Sequence, residues 1–398
     1  MAADFKYIVI GSGMMGAAAA RHLGKFSDGV ALIGPGEPKD YGRHDGVFAS
    51  HYDEARITRR FDGDILWATF AARSIERYAQ IEGESGISFF SETGCLFAGP
   101  PPTSDKDYLH RAGKVACSLG LDVENLSARD LKERFVEFDF PAHVTGYFEA
   151  THAGHINPRL LVQAQIRAAV RGGARHIDRM VDSVRVEADR VRVEAAGKVY
   201  SGERVLIAAG AFANMNGLLS QPLDIRATPR TVVFFELSDR TLNMFENMPS
   251  TVVFTDREED HVYILPPVRY PDGKIYLKLG GDIEAGELRT RDEFQAWFAS
   301  SGDPGERQRL IAEALKVMPG LAGCPTSSAA CVATFTPTGH PYAGFVEPSR
   351  VAVLTGGNFV AAKSSDELGR LGALLLHEGG LGENDFASLM RPAFRLEG

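Results

Sequence analysis

A mixed α/β (α+β) architecture in two domains is what this sequence predicts, and three observations carry the prediction. The segment Tyr7-Ile8-Val9-Ile10-Gly11-Ser12-Gly13-Met14-Met15-Gly16-Ala17 joins an apolar run to a G-x-G-x-x-G spacing and an Ala-rich helix start. Val30-Ala31-Leu32-Ile33 follows at the distance of the second strand in a βαβ unit. From 226 to 282 the pattern changes to alternating strands, as in Lys274-Ile275-Tyr276-Leu277-Lys278-Leu279. Together they describe a Rossmann-type dinucleotide-binding domain and a second, mainly antiparallel β-sheet domain.

Each glycine of the opening unit has a mechanical task. Gly11 permits the tight turn, Gly13 lets the backbone approach a pyrophosphate, and Gly16 lets the helix pack close to the strand. The helix N-terminus then offers free N–H groups to the phosphates. With 398 residues and 44% hydrophobic content, the chain is long enough for two domains and a large core. Its net charge of -9 argues against nucleic acid or an anionic membrane as a partner. No run is long enough to span a membrane, and no signal peptide opens the chain. The cysteines Cys95, Cys117, Cys324 and Cys331 lack metal-ligand spacing, which reads as a reduced, cytoplasmic protein without structural metal.

Taken in order, the slot after the second strand holds Gly34 where an acidic residue usually meets a ribose. Glu37 either does that task from the loop or is a solvated turn residue. The charged segment Ser50-His51-Tyr52-Asp53-Glu54-Ala55-Arg56-Ile57-Thr58-Arg59 places Arg56 and Arg59 on one face if it forms a helical turn. They then hold an anionic group, or else pair with Asp53 and Glu54 at the surface. An amphipathic helix is expected over 65–80, a strand kinked at Gly94 over 88–98, and a helical stretch over 104–134. A strand over 146–149, a helix over 158–171, a hairpin over 181–199 starting at Val181, and a buried strand ending at Gly210 follow. His152 and His155 receive no role. Lys278 faces water or a ligand. After helices near 291–299 and 305–317, a strand enters Gly356-Gly357-Asn358, and Ser364-Ser365-Asp366-Glu367 opens a helix with capping-box spacing. Lys363 stands just before it, where a cation is disfavoured, which points to a nearby anion.

With these residues in hand, the chain resembles monomeric sarcosine oxidase and its relatives in the D-amino acid oxidase superfamily, nearly end to end. The resemblance implies FAD as cofactor. Its ADP part would lie on Gly11, Gly13, Met14, Met15 and Gly16, with Glu37 at the ribose. Ser50, His51 and Arg56 would follow on the arginine segment, and Val181, Gly210, Gly356, Gly357 and Asn358 would complete the cofactor site. Cys331 matches the site of covalent flavin attachment; without that bond it is buried packing. Arg56 supports the flavin, while Arg59 and Lys363 bind the substrate carboxylate. Tyr263 matches an active-site tyrosine and Lys278 the oxygen-activating lysine. The implied segments are 1–90, 145–220 and 320–398 for the FAD domain, and 91–144 and 221–319 for the substrate domain.

The chain departs from the family pattern at three places. Ala333 replaces a tyrosine after the flavin-linked cysteine, Asp282 replaces a histidine, and Phe359-Val360-Ala361 replaces Gly-His-Gly. Asp282 and Val360 imply a substrate larger than sarcosine, with a polar or cationic extension near Asp282. The implied activity is oxidation of a secondary amino acid to an imine, with O2 reduced to H2O2, by a monomer or small homo-oligomer. The alternatives are a dehydrogenase passing electrons to a carrier or quinone, a non-catalytic flavin-binding subunit, and a nicotinamide enzyme.

Overall fold

The computed structural model describes residues 3–215, 217–257, 260–281 and 286–396. The apolar run at the start forms the strand Phe5–Ile10, buried from Tyr7 onward. It pairs in parallel with Val30–Ile33 on one side and Lys198–Ile207 on the other. Arg175–Ile177 and Val351–Thr355 extend this parallel core outward. Val181–Val186 and Val191–Ala195 continue it as an antiparallel meander, and Tyr342–Glu347 pairs antiparallel with Val351–Thr355. The helix Met14–Leu23 packs against both Pro158–Arg171 and Ser365–Glu378. Its Ala17 to Ala20 are fully buried, and side chains this small let the helices approach closely.

The second sheet runs in the spatial order Thr326–Phe335, Arg226–Glu236, Ile275–Gly281, Val262–Arg269, Ser250–Val253, Cys95–Gly99, Thr145–Glu149 and Glu124–Leu126. Within this sheet, only Ser250–Val253 beside Cys95–Gly99 is a parallel pair among the described residues. A small third sheet joins Arg56–Thr58, Gly154–Ile156 and Phe90–Ser91. The alternation of Leu277 and Leu279 buries them in the core under the second sheet. Thr145–Glu149 and Thr326–Phe335 belong to this second sheet, so it reaches past the expected segment boundaries at 145 and 320.

Several expectations need correction. The helix over 65–80 is two helices, Ile65–Ile75 and Tyr78–Ser85, broken where Arg77 turns to Asp366 and Glu367. The stretch 104–134 is Tyr108–Ser118 and Ala128–Arg134 with the strand Glu124–Leu126 between them. The late strand of the hairpin and the strand leading to Gly210 are one continuous strand, Lys198–Ile207. The capping box before Ser365–Glu378 does not form: Ser364 makes no side-chain cap. Asp366 and Glu367 are instead drawn to arginines, Arg21 and Arg77 on Asp366, and Arg73, Arg77 and Arg370 on Glu367. Burial opposes ionisation of Asp366, but the His22 hydrogen bond and the charges of Arg21 and Arg77 hold it far below the usual carboxylate range.

Candidate functional site

A cavity of about 410 Å³ runs between the two large sheets. The first sheet contributes the turn after Phe5–Ile10, the end of Val30–Ile33, Val181 and the glycine turns at Gly210 and Gly356. The second contributes Phe97, Val252, Tyr263 and the segment Cys331 to Thr334. Gly11, Gly13, Met14, Met15, Ser50, Gly357, Arg56 and Arg59 also line it.

On the first wall the chemistry is that of the backbone. Gly11 has φ +106°, and a Cβ on Gly16 would stand 1.9 Å from the Gly11 carbonyl oxygen. No other residue fits this strand–turn–helix. Gly13 caps the helix Met14–Leu23 with no side-chain hydrogen bond, and its first turn holds no acid. Its N–H groups and positive dipole end are therefore left for an anion. The acidic ribose residue is missing for a steric reason. A Cβ at Gly34 would lie 2.5 Å from the Ser12 nitrogen. Glu37 stands outside the cavity lining, its carboxylate clasped by Arg159 at 2.6 and 2.7 Å and by Tyr41 at 2.7 Å. His51 lies behind the wall with Nδ1 buried and unpartnered, close under Gly13, and burial pushes it down to about 4, so it is neutral. Asn358 braces the glycine turn, donating to the Gly356 carbonyl at 2.7 Å and accepting from the Thr336 N–H at 3.0 Å. Asn358 and Phe359 both have positive φ, 47° and 64°, a strained pair beside the cavity. The bare helix end and the glycine turn that precedes it fit the diphosphate of a dinucleotide such as FAD.

On the other wall the chemistry is that of buried charge. Arg56 and Arg59 do not share a helical turn. Arg56 opens the strand Arg56–Thr58, held in register by Ile156 to Gly154, and Arg59 follows just past its end. Both arginines have carboxylate partners, and these are buried rather than at the surface. Asp53 accepts from Arg56, from Lys278 Nζ at 2.5 Å and from the Tyr270 hydroxyl at 2.8 Å. Lys278 is fully buried, neither facing water nor lining the cavity, and also donates to the Ala55 carbonyl at 2.5 Å. Burial, then the Arg56 guanidinium, pushes its ammonium well below the ordinary lysine value. Asp62 is the second partner, 3.3 Å from Arg59 and 3.0 Å from Lys363. Burial lowers Lys363 to about 8, with Asp62 opposing the shift. Arg59 and Lys363, 304 positions apart in sequence, thus meet through one carboxylate.

The motifs of the sequence single out Tyr263 but neither Asp62 nor the aromatic residues Phe97, Tyr108 and Phe254. The signal for Asp62 is a symmetric spacing, Asp53-x-x-Arg56-x-x-Arg59-x-x-Asp62. Around Arg59 the lining is Phe97, Tyr108, Phe254 and Tyr263, with Phe359 edge-on to Tyr263 at 5.8 Å. The Arg59 guanidinium stacks 4.8 Å over the Phe97 ring, and its Nε is buried without a partner. Cys331 lines the cavity with its sulfur 3.9 Å from Arg56. Asp282 lies outside the described residues. No helix among the described residues is long and apolar enough to cross a membrane.

Comparison with known proteins agrees with this geometry. The chain is 26% identical to a monomeric sarcosine oxidase of Bacillus sp. (strain NS-129), over 100% of this chain and 99% of that protein. It is 24% identical to an N-methyl-L-tryptophan oxidase of Citrobacter koseri, over 82% of each. Among solved structures, the open form of NikD, an unusual amino acid oxidase essential for nikkomycin biosynthesis, superposes with a TM-score of 0.79 at 18% identity. That superposition covers 100% of this chain and 99% of NikD, and at such identity it speaks for the fold alone. The family model for FAD dependent oxidoreductases, DAO, matches residues 6–375. A match over that length, on a chain whose cavity joins a bare helix end to a buried arginine, makes this protein a member of the DAO family of FAD-dependent oxidoreductases.

Proposed function

We propose that the protein oxidises a secondary amino acid, an N-alkyl amino acid with an apolar or aromatic side chain, at the C–H bond next to nitrogen. The observation that carries this is Arg59: a buried guanidinium with an unpartnered Nε, lining an aromatic cavity continuous with the bare helix end. FAD, when bound, supplies the acceptor for the two electrons. The chain's own residues do the rest. Arg59 anchors the substrate carboxylate by charge-assisted hydrogen bonds, which fixes orientation as well as affinity. The aromatic walls exclude water and hold the side chain, so that positioning contributes much of the rate. The substrate loses a hydride equivalent and the amine proton to become an imine, which water hydrolyses. The names of the relatives, a sarcosine oxidase and an N-methyltryptophan oxidase, support an N-methyl amino acid. The described walls give no support to a cationic extension.

Oxygen is the proposed acceptor, taking two electrons and two protons to give hydrogen peroxide, with Arg56 and Lys278 supplying positive charge. One observation favours a second reading, a dehydrogenase. Asp53 neutralises part of that charge, and Lys278 stands behind the wall. Cys331, lining the cavity beside Arg56, is the proposed covalent tether; colour that stays with acid-precipitated protein supports it, and colour left in the supernatant rejects it. The test of the main reading is anaerobic bleaching of the purified yellow protein. N-methyl-L-phenylalanine should bleach it, and N-methylphenethylamine, which lacks the carboxylate, should not. Equal bleaching by both removes the role given to Arg59. Peroxide release under air then separates oxidase from dehydrogenase.

A further inference from the structure

The two cations that the resemblance gives to the substrate carboxylate are not equivalent here. Arg59 lines the cavity, whereas Lys363, 1% exposed, does not. Lys363 Nζ is held by Asp62 Oδ2 at 3.0 Å and by the Trp67 carbonyl at 3.5 Å. The same Asp62 oxygen accepts from Arg59 Nη2 at 3.3 Å, and the other accepts from the Asp64 N–H at 3.2 Å. Asp62 itself is 2% exposed and absent from the lining. One resident carboxylate therefore serves both cations, and the trio carries a single net positive charge.

Resting on the amino acid reading above, we infer that Asp62 is a resident counter-ion that sets the carboxylate specificity of the site. Arg59 alone touches the substrate carboxylate. Lys363 is a positioning residue: it cancels the charge of Asp62 and keeps that carboxylate from claiming Arg59. The sign of a double substitution follows. Without Lys363, Asp62 competes with the substrate for Arg59 and repels it. Without the charge of Asp62 as well, competition and repulsion vanish together. A clamp in which both cations touch the substrate behaves differently, because loss of Lys363 then weakens binding whether or not Asp62 is charged.

The experiment titrates FAD-loaded full-length protein with phenylacetate and with its uncharged amide, phenylacetamide, reading the change in flavin absorbance. Lys363→Met should weaken phenylacetate about tenfold or more while leaving phenylacetamide within about twofold, since only the charged ligand feels Asp62. Lys363→Met combined with Asp62→Asn should return phenylacetate to within about threefold of the unsubstituted protein. A double variant as weak as Lys363→Met overturns the inference, because Lys363 then contacts the carboxylate itself. Equal loss of both ligands in the single variant also overturns it, since that is damage to the site and not charge. If Lys363→Met does not load FAD, Lys363→Gln carries the same comparison. Unsubstituted protein that does not prefer phenylacetate over the amide defeats the carboxylate anchor of the proposed function, a separate failure visible before any variant is made.

Discussion

The two walls of the cavity solve the problem of holding charge in opposite ways. The wall from the first sheet uses backbone: a glycine turn, an uncapped helix end and no acid in its first turn. The wall towards the second sheet uses side chains, with Asp53 joining Arg56 to Lys278 and Asp62 joining Arg59 to Lys363. Backbone groups carry partial charges fixed by the fold and need no counter-ion. Buried side-chain cations need one, because an unpaired ammonium or guanidinium in the interior is costly. The backbone wall is therefore intolerant of added volume, whereas the side-chain wall is intolerant of changes in charge.

The largest effect is expected on the backbone wall. Gly16→Val places atoms where the Gly11 carbonyl already stands, since even a lone Cβ there would lie 1.9 Å from its oxygen. The variant should be insoluble or emerge colourless; a soluble yellow protein with normal FAD content contradicts this close approach of helix to turn. Next comes Arg59→Met, which keeps the length of the side chain and removes its charge. Loss of a charged hydrogen bond to the substrate is worth about 2–3 kcal/mol, or roughly 30- to 150-fold in kcat/KM. The FAD spectrum should stay normal, because Arg59 is placed at the substrate. A variant that loses FAD instead would move Arg59 to the other role.

A smaller effect is expected at Lys278. Arg56 remains beside it, and Asp53 already neutralises one of the two charges. Lys278→Met should leave anaerobic reduction by substrate unchanged and slow reoxidation by oxygen about tenfold, less than the roughly 10²–10³ found for removal of one oxyanion-hole donor. Unchanged reoxidation sharpens the contrast between the two charge pairs and favours the dehydrogenase reading.

This contrast also explains what is legible in the sequence. The glycine spacing, the opening strand and the helix Pro158–Arg171 follow from local steric rules, and the structure shows them where those rules place them. The motif's need for a nearby acid points to Glu37 as a ribose partner, but Arg159, from a helix 122 positions away, takes its carboxylate. Asp62 shares a symmetric spacing with Asp53 and the two arginines, but its meaning depends on Lys363, 301 positions later. The acids at Asp366 and Glu367 match a capping box, yet the fold brings Arg21, Arg73 and Arg77 to them. Local geometry is written in neighbouring residues; charge compensation is written between distant ones.

The smallest effect is a pH dependence peculiar to the side-chain wall. Lys363 is lowered to about 8 by burial, so it loses its proton within an accessible range. Burial pushes Tyr108, the neighbouring phenol, upward, and Arg59 stays charged, so neither titrates there. Below about 8 the trio carries one net positive charge; above it, Arg59 and Asp62 cancel. Binding an anion favours the protonated form of Lys363, so by linkage its affinity must fall as pH rises through this value. Phenylacetate, whose own carboxylate is ionised throughout, should bind several-fold more weakly at about pH 9.5 than at about pH 7, the size of effect one charge exerts near a protein surface. Asp62→Asn removes the neighbour that raises Lys363 and should move the transition to lower pH. A transition that stays in place in that variant assigns it to another group and breaks the link between Asp62 and Lys363.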